Sequence, residues 1–193
     1  EYNVESETIT LKEPTKAGYT FLYWTNSSTN KQITEIAKGS IGDITLLANW
    51  EANTDTAYKV KHYQQNIEDD EYTLFETEDK VGTTGETTTA SAKSYEGFTA
   101  KEVTQAVIAG DGTTIVEIYY DRKDVTLTFD LAGGMSGGST KIEKTGKYGA
   151  PVEKPEDPTK NGYIFDDWYT SSNNGETLES VFDFDTPIEK DLT

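Results

Sequence analysis

Residues 13–24 read EPTKAGYTFLYW and residues 157–168 read DPTKNGYIFDDW. Pro14/Pro158, Thr15/Thr159, Lys16/Lys160, Gly18/Gly162, Tyr19/Tyr163, Phe21/Phe165 and Trp24/Trp168 match at a constant offset of 144. Further on, Asp43-Ile44-Thr45 aligns with Asp191-Leu192-Thr193 at an offset of 148, so the second copy carries four extra residues after its tryptophan. Self-similarity of this kind marks an array of small units rather than one large core.

The block has a mechanical reading. Pro14 and Pro158 stop a preceding strand and fix the chain direction. Gly18 and Gly162 permit a turn or a close backbone approach. Tyr19 and Phe21 lie two apart and share a face in extended chain, and Trp24 closes over them after a bend. Tyr163, Phe165 and Trp168 repeat the arrangement. Three buried aromatics cover roughly 150–250 Å² each. At about 25 cal/mol per Å² they contribute on the order of 10 kcal/mol before entropy. For a unit of about 70 residues that is most of a core, so the block is first a folding motif.

Each copy lacks what the other has. The first runs into DITLLANW (43–50), a strand ending on Trp50; the second opens on VTLTFDLAGG (125–134). Val125, Leu127 and Phe129 alternate with Thr126, Thr128 and Asp130, which predicts a strand with one buried face. The glycines after it supply turn positions, and the segment to Tyr148 is expected to return as a second strand. Between the copies lie YKVKHY (58–63), a polar acidic stretch, and IAGDGTTIVEIYYDR (108–122), with strands expected at both ends. The expected organisation is residues 1–56 as the C-terminal part of one module, 57–123 as a module of a second type, and 124–193 as a module of the first type without its last strand. The joins EANTDTA and DRKD are short and predict semi-rigid beads rather than free tethers. Cut modules expose sheet edges, so both ends are expected to pack poorly or to be completed by strand addition from another chain.

Composition agrees. Thirty threonines and twelve tyrosines suit a pleated, half-wetted surface. The fold class expected is mostly β with mixed sheets and at most short helices. The best helix candidate is TAKEVTQAVIA (99–109), with Val103, Ala106 and Val107 on one face, although VTQAVI also reads as a strand. The net charge of −18 argues against a nucleic-acid surface and against docking on anionic lipid. It is spread along the chain as −4, −6 and −8 over the three segments. No apolar run approaches the roughly 18 residues of a membrane span, so no membrane insertion is expected. Without cysteine there are no disulfides, thiolate metal sites or thiol catalysis.

Candidate sites read as structural. His62, the sole histidine, sits on a strand beside Tyr58 and Val60, where packing explains it better than a role as base or ligand. Glu68-Asp69-Asp70-Glu71 lacks the spacing of a calcium loop and reads as a solvated turn. Asp183 and Asp185 alternate with Phe182 and Phe184 and read as the wet side of a strand or turn. Asp166 and Asp167 are adjacent, so in extended chain they point apart and make no glycosidase pair. No lysine, asparagine and acid form a recognisable isopeptide triad. No catalytic residue, cofactor or metal is expected. Tyr23 stands where the second copy has Asp167, and is the one aromatic offered as a possible ligand contact.

VTLTFDLAGG, PTKxGYxFxxW and DITLLANW resemble, in that order, the Listeria–Bacteroides repeat, also called the internalin-type B repeat. The resemblance covers residues 1–50 and 124–193. This sequence carries Tyr23 and Asp167 where the family usually has glycine before the tryptophan. The middle segment resembles MucBP-like modules through KHYQQN and IAGDGTTIVEIYYDR. These resemblances imply β-grasp-like modules in a large secreted or surface-anchored bacterial protein, with signal and anchor outside these residues. The implied role is a non-catalytic stalk or spacer that presents other domains, or alternatively an adhesin contacting host glycan or protein. Implied partners are neighbouring repeats of the same chain.

Overall fold

The computed structural model describes residues 1–173 and 175–192; Thr193, the last residue of the downstream match, lies outside them. The described residues form strands and no helix. In chain order the strands are β1 (Ile9–Thr10), β2 (Tyr19–Asn26), β3 (Lys31–Ile33), β4 (Glu35–Ile36), β5 (Leu46–Ala52), β6 (Thr56–Gln65), β7 (Tyr72–Gly82), β8 (Phe98–Ala100), β9 (Ile115–Arg122), β10 (Asp124–Asp130) and β11 (Lys141–Lys147). They make four sheets, with orders β1-β4, β3-β2-β5, β7-β6-β9-β8 and β10-β11. The fold is therefore mostly β.

By contacts the chain divides into two compact units. One holds residues 1–61, 76–91 and 103–117; the other holds 62–75, 92–102 and 118–193. Each takes a share of the middle segment.

In the first unit β2 pairs antiparallel with β3 and β5, and the β2–β5 register slips between Phe21 and Tyr23. This bulge turns Phe21 and Trp24 onto one face although they lie three apart. Their rings meet at 5.5 Å and 58°, and Trp50 meets Phe21 edge-on at 5.5 Å. Tyr58, Val60, Ile108 and Val116 are buried in the same unit.

In the second unit β10 and β11 form an antiparallel hairpin in full register, Asp124 opposite Lys147 and Asp130 opposite Lys141. Alternation buries Val125, Leu127 and Phe129 in a cluster with Leu131, Val152, Trp168 and Ile188. Trp168 stands edge-on to Phe129 at 4.9 Å. Phe182 and Phe184 pack against this cluster, while Asp183 and Asp185 point outward in a turn.

The helix expected over Thr99–Ala109 does not form. Phe98–Ala100 is a strand paired with Arg122–Tyr120 in the second unit. In the first unit the backbone of residues 106–108 bonds to that of Glu86 and Thr88. Gln105 reinforces this extended path: its amide donates to the Ala90 carbonyl at 2.7 Å and accepts the Ala90 N–H at 2.9 Å. Ile108 is buried while Val107 is exposed, which is strand alternation rather than a helical stripe.

The second copy of the aromatic block also departs from expectation. Residues 163–168 belong to no strand, and Tyr163, expected in the core, is 71% exposed beside Ile164 at 98%. Among the described residues no strand pairs along 163–167, whereas β5 pairs with β2 in the first copy. Trp168→Ala should therefore cost about 3–5 kcal/mol in urea unfolding followed by a probe in the second unit. Tyr163→Ala should stay within about 0.5 kcal/mol of the parent.

Candidate functional site

The PTKxGY turn folds the same way in both copies. The Tyr19 N–H donates to the Lys16 carbonyl at 3.0 Å, and the Tyr163 N–H to the Lys160 carbonyl at 3.0 Å. Gly18 and Gly162 hold φ of 75° and 79°, a left-handed conformation that glycine adopts without steric cost. The ammonium groups of Lys16 and Lys160 lie over the Tyr19 and Tyr163 rings at 3.6 and 4.6 Å. Phe165 and Trp168 meet at 5.2 Å and 58°, close to the Phe21–Trp24 geometry.

What differs is what the turn touches. At Gly18 a side-chain carbon would come within 2.3 Å of the Gly110 Cα and 2.4 Å of the Thr84 hydroxyl. At Gly110 it would meet the Ala17 carbonyl oxygen at 2.1 Å. Two backbones here approach closer than any side chain allows. Asn53 ties the same place: its N–H donates to the Gly18 carbonyl at 2.9 Å and its carbonyl accepts the Thr84 N–H at 2.9 Å. The Thr20 hydroxyl donates to the Asn53 side chain at 2.8 Å, and buried Thr56 and Thr84 share a hydroxyl bond of 2.6 Å. Asp111 supports the turn next to Gly110 by accepting from the Thr113 N–H and hydroxyl, which holds its carboxyl below the ordinary carboxylate range. This is a joint of chain segments distant in sequence, around Gly18, Asn53, Thr84 and Gly110, all within the first unit. At Gly162, by contrast, nothing lies within 4 Å of an added carbon.

A second joint, wholly inside the second unit, ties the segments around residues 65–70, Gly97 and Arg122 to Lys147 and Tyr148. Arg122 donates from Nε to the Gln65 carbonyl at 2.7 Å and from a terminal nitrogen to the Tyr148 carbonyl at 2.9 Å. Its partial burial lowers its pKa. A carbon added at Gly97 would enter the Tyr148 ring, at 2.1 Å. Lys147 reaches back to the acidic turn, where the Asp69 carbonyl and the Asp70 carboxylate accept at 2.9 and 3.0 Å and the Asn66 carbonyl lies at 3.4 Å. The acidic run is thus more than a solvated turn: its oxygens face a lysine ammonium.

The remaining candidates scatter. His62 is fully buried, with Nδ1 bonded to the Tyr120 hydroxyl at 2.8 Å, and that hydroxyl accepts the Lys93 N–H. Asp166 accepts from the Tyr169 hydroxyl and Asp167 from the Trp168 N–H; the first contact raises the Tyr169 pKa. Tyr23 is 38% exposed on β2, opposite Asn49, with exposed Leu22 and Leu47 nearby on the sheet. Tyr19, Phe21, Trp24 and Trp50 are half-buried, whereas Leu127, Phe129 and Trp168 are buried and Phe165 is half-buried. Sequence reasoning missed the Gly18–Gly110 contact and the Lys147 cradle. The GDG at 110–112 was a visible signal, but of a turn and not of its neighbour.

The all-strand fold of the described residues and the twice-formed PTKxGY turn define a β-rich repeat protein. The model of the Listeria-Bacteroides repeat domain matches residues 1–49 and 126–193, more than half of the chain, and the chain belongs to that family. Such repeats occur in bacterial surface and extracellular proteins and are typically non-catalytic.

The two glycines give an internal control for the joint. Gly18→Ala and Gly162→Ala carry the same positive-φ penalty of about 1–2 kcal/mol. Gly18→Ala should cost about 1–3 kcal/mol more, because backbone must move apart. Equal losses in chemical denaturation would contradict the close approach. Lys147→Met should speed hydrogen exchange at the Asn66–Glu71 amides by about tenfold while leaving those of β2 and β5 unchanged.

Proposed function

We propose that this chain is a non-catalytic stalk or spacer segment of a cell-wall-attached or secreted bacterial multi-repeat protein. In this reading residues 57–123 are a MucBP-like module set between B-repeat-type modules, and the segment extends and presents other domains. The observation that supports it most is the Gly18–Gly110 close approach, with its Asn53 and Thr84 bonds, which this reading takes as the coupling of one module to the next without a flexible linker. Tight joints let a chain of modules hold reach, which a string of free beads does not. Small-angle scattering of the chain should give an elongated particle whose maximum dimension does not change with salt. A compact particle would contradict the spacer reading.

An adhesin role is favoured by one observation. Tyr23 lies exposed beside Leu22 and Leu47 on the β2–β5 sheet, an amphipathic ring of the kind that contacts sugars and proteins. Glycan-array binding that is lost in Tyr23→Ala, with the fold intact by circular dichroism, would support it. Absence of any hit with the parent chain would count against it.

A further inference from the structure

The turn Lys160-Asn161-Gly162-Tyr163 carries a reactive pair that its counterpart, Lys16-Ala17-Gly18-Tyr19, lacks. An asparagine side-chain amide can be attacked by the backbone nitrogen of the residue that follows it. Glycine in that place hinders the approach least, because it has no Cβ. Asn161 and Asn174 are the asparagines followed by glycine; Asn174 lies outside the described residues.

The structure leaves this pair open. Asn161 and Gly162 are both exposed. Gly162 holds φ of 79°, and nothing described lies within 4 Å of a carbon added there. Among the described residues neither the Asn161 side chain nor the Gly162 N–H has a hydrogen-bond partner. Upstream the chain is pinned, since Thr159 and Met135 exchange backbone bonds at 2.9 and 2.8 Å. Downstream the Tyr163 N–H closes the turn onto the Lys160 carbonyl, and Tyr163 and Ile164 then stand in solvent. Other asparagines are held. The Asn26 side-chain oxygen accepts the Ser28 and Thr29 N–H groups at 2.9 and 3.3 Å. That of Asn53 accepts the Thr20 hydroxyl at 2.8 Å, and the Asn66 amide donates to the Asp69 carboxylate at 2.8 Å.

We propose that Asn161-Gly162 is a self-modification site, where the turn converts to isoaspartate or aspartate without an enzyme. The Gly162 nitrogen gives its proton to hydroxide and attacks the Asn161 Cγ. A C–N bond forms, the Cγ–Nδ2 bond breaks, and ammonia leaves with a proton taken from water, which restores the hydroxide. Water then opens the five-membered succinimide. Opening at the backbone carbonyl gives isoaspartate, and opening at Cγ gives aspartate. Either product adds one negative charge to a chain already at −18. Isoaspartate also inserts a methylene into the main chain between the Lys160 carbonyl and the Tyr163 N–H, so the turn bond loses its geometry. The new carboxylate stands next to Lys160, whose ammonium now meets the Ala132 carbonyl at 2.7 Å and the Tyr163 ring at 4.6 Å. The first copy is closed to this chemistry twice over. Ala17 has no amide to attack, and Gly18 is pressed against Gly110 with its carbonyl bonded to the Asn53 N–H. The proposal goes beyond the spacer reading and does not depend on it.

The test is incubation of the intact folded chain in mildly alkaline buffer, followed by peptide mapping with electron-transfer fragmentation, which tells isoaspartate from aspartate. Asn161 should lose its amide at least about tenfold faster than Asn26 and Asn53, whose bonded side chains react only from locally opened states. Its rate should lie within about threefold of that in the guanidinium-unfolded chain, because the turn needs no further opening. Ala17→Asn gives the first copy the same pair inside the packed turn. That pair should convert at least about tenfold more slowly than Asn161 in the folded molecule, and as fast as Asn161 in guanidinium. An Asn161 amide that survives as long as those of Asn26 and Asn53 overturns the proposal. So does conversion at Asn161 that is tenfold slower in the folded chain than in guanidinium.

Discussion

A strand needs a neighbour, and that requirement governs this molecule. The PTKxGYxFxxW block carries its own turn, its own lysine–tyrosine contact and its own Phe–Trp pair, and these recur in both copies with nearly the same geometry. It becomes a strand only over Tyr19–Asn26, where β5 runs beside it. Backbone N–H and C=O groups away from helices find partners across a ladder, in turns, on side chains or in water. At residues 163–167 they lie outside any ladder among the described residues, and Tyr163 and Ile164 face solvent.

From this the energetics follow. A small β module buries little surface for its length, so a few aromatics decide whether it holds. In the second unit Phe129 and Trp168 supply that centre, with β10 beneath them. In the first unit Phe21, Trp24 and Trp50 meet one another but stay half-buried. The joints add order by another route. Glycine at 18, 97 and 110 lets neighbouring chain come into backbone or ring contact, and Asn53, Arg122 and Lys147 bond across the places so formed.

Much of this was legible in the sequence. The repeat, the β10 alternation and the strands around Tyr58 and Ile115 rest on local periodicity, which the fold obeys. The 99–109 segment misled because Val103, Ala106 and Val107 have helical spacing, while the Gln105 amide and the Glu86–Thr88 backbone, distant in sequence, hold it extended. Tyr163 misled because its burial depends on a partner strand and not on its own neighbours. Gly18 announced a special backbone position, yet Gly110, its contact, lies 92 residues away. Lys147 facing the acidic turn was illegible for the same reason: charge patterns along a chain say little about which turn folds back onto which strand.

The central claim is that the shared PTKxGYxFxxW pattern takes two states according to whether a strand lies alongside. Native-state hydrogen exchange of the unmodified chain reads this directly, because both copies sit in one molecule under one set of conditions. The account predicts amides of Thr20–Thr25 protected by at least about a hundredfold over those of Ile164–Tyr169. Equal protection in the two stretches would contradict it.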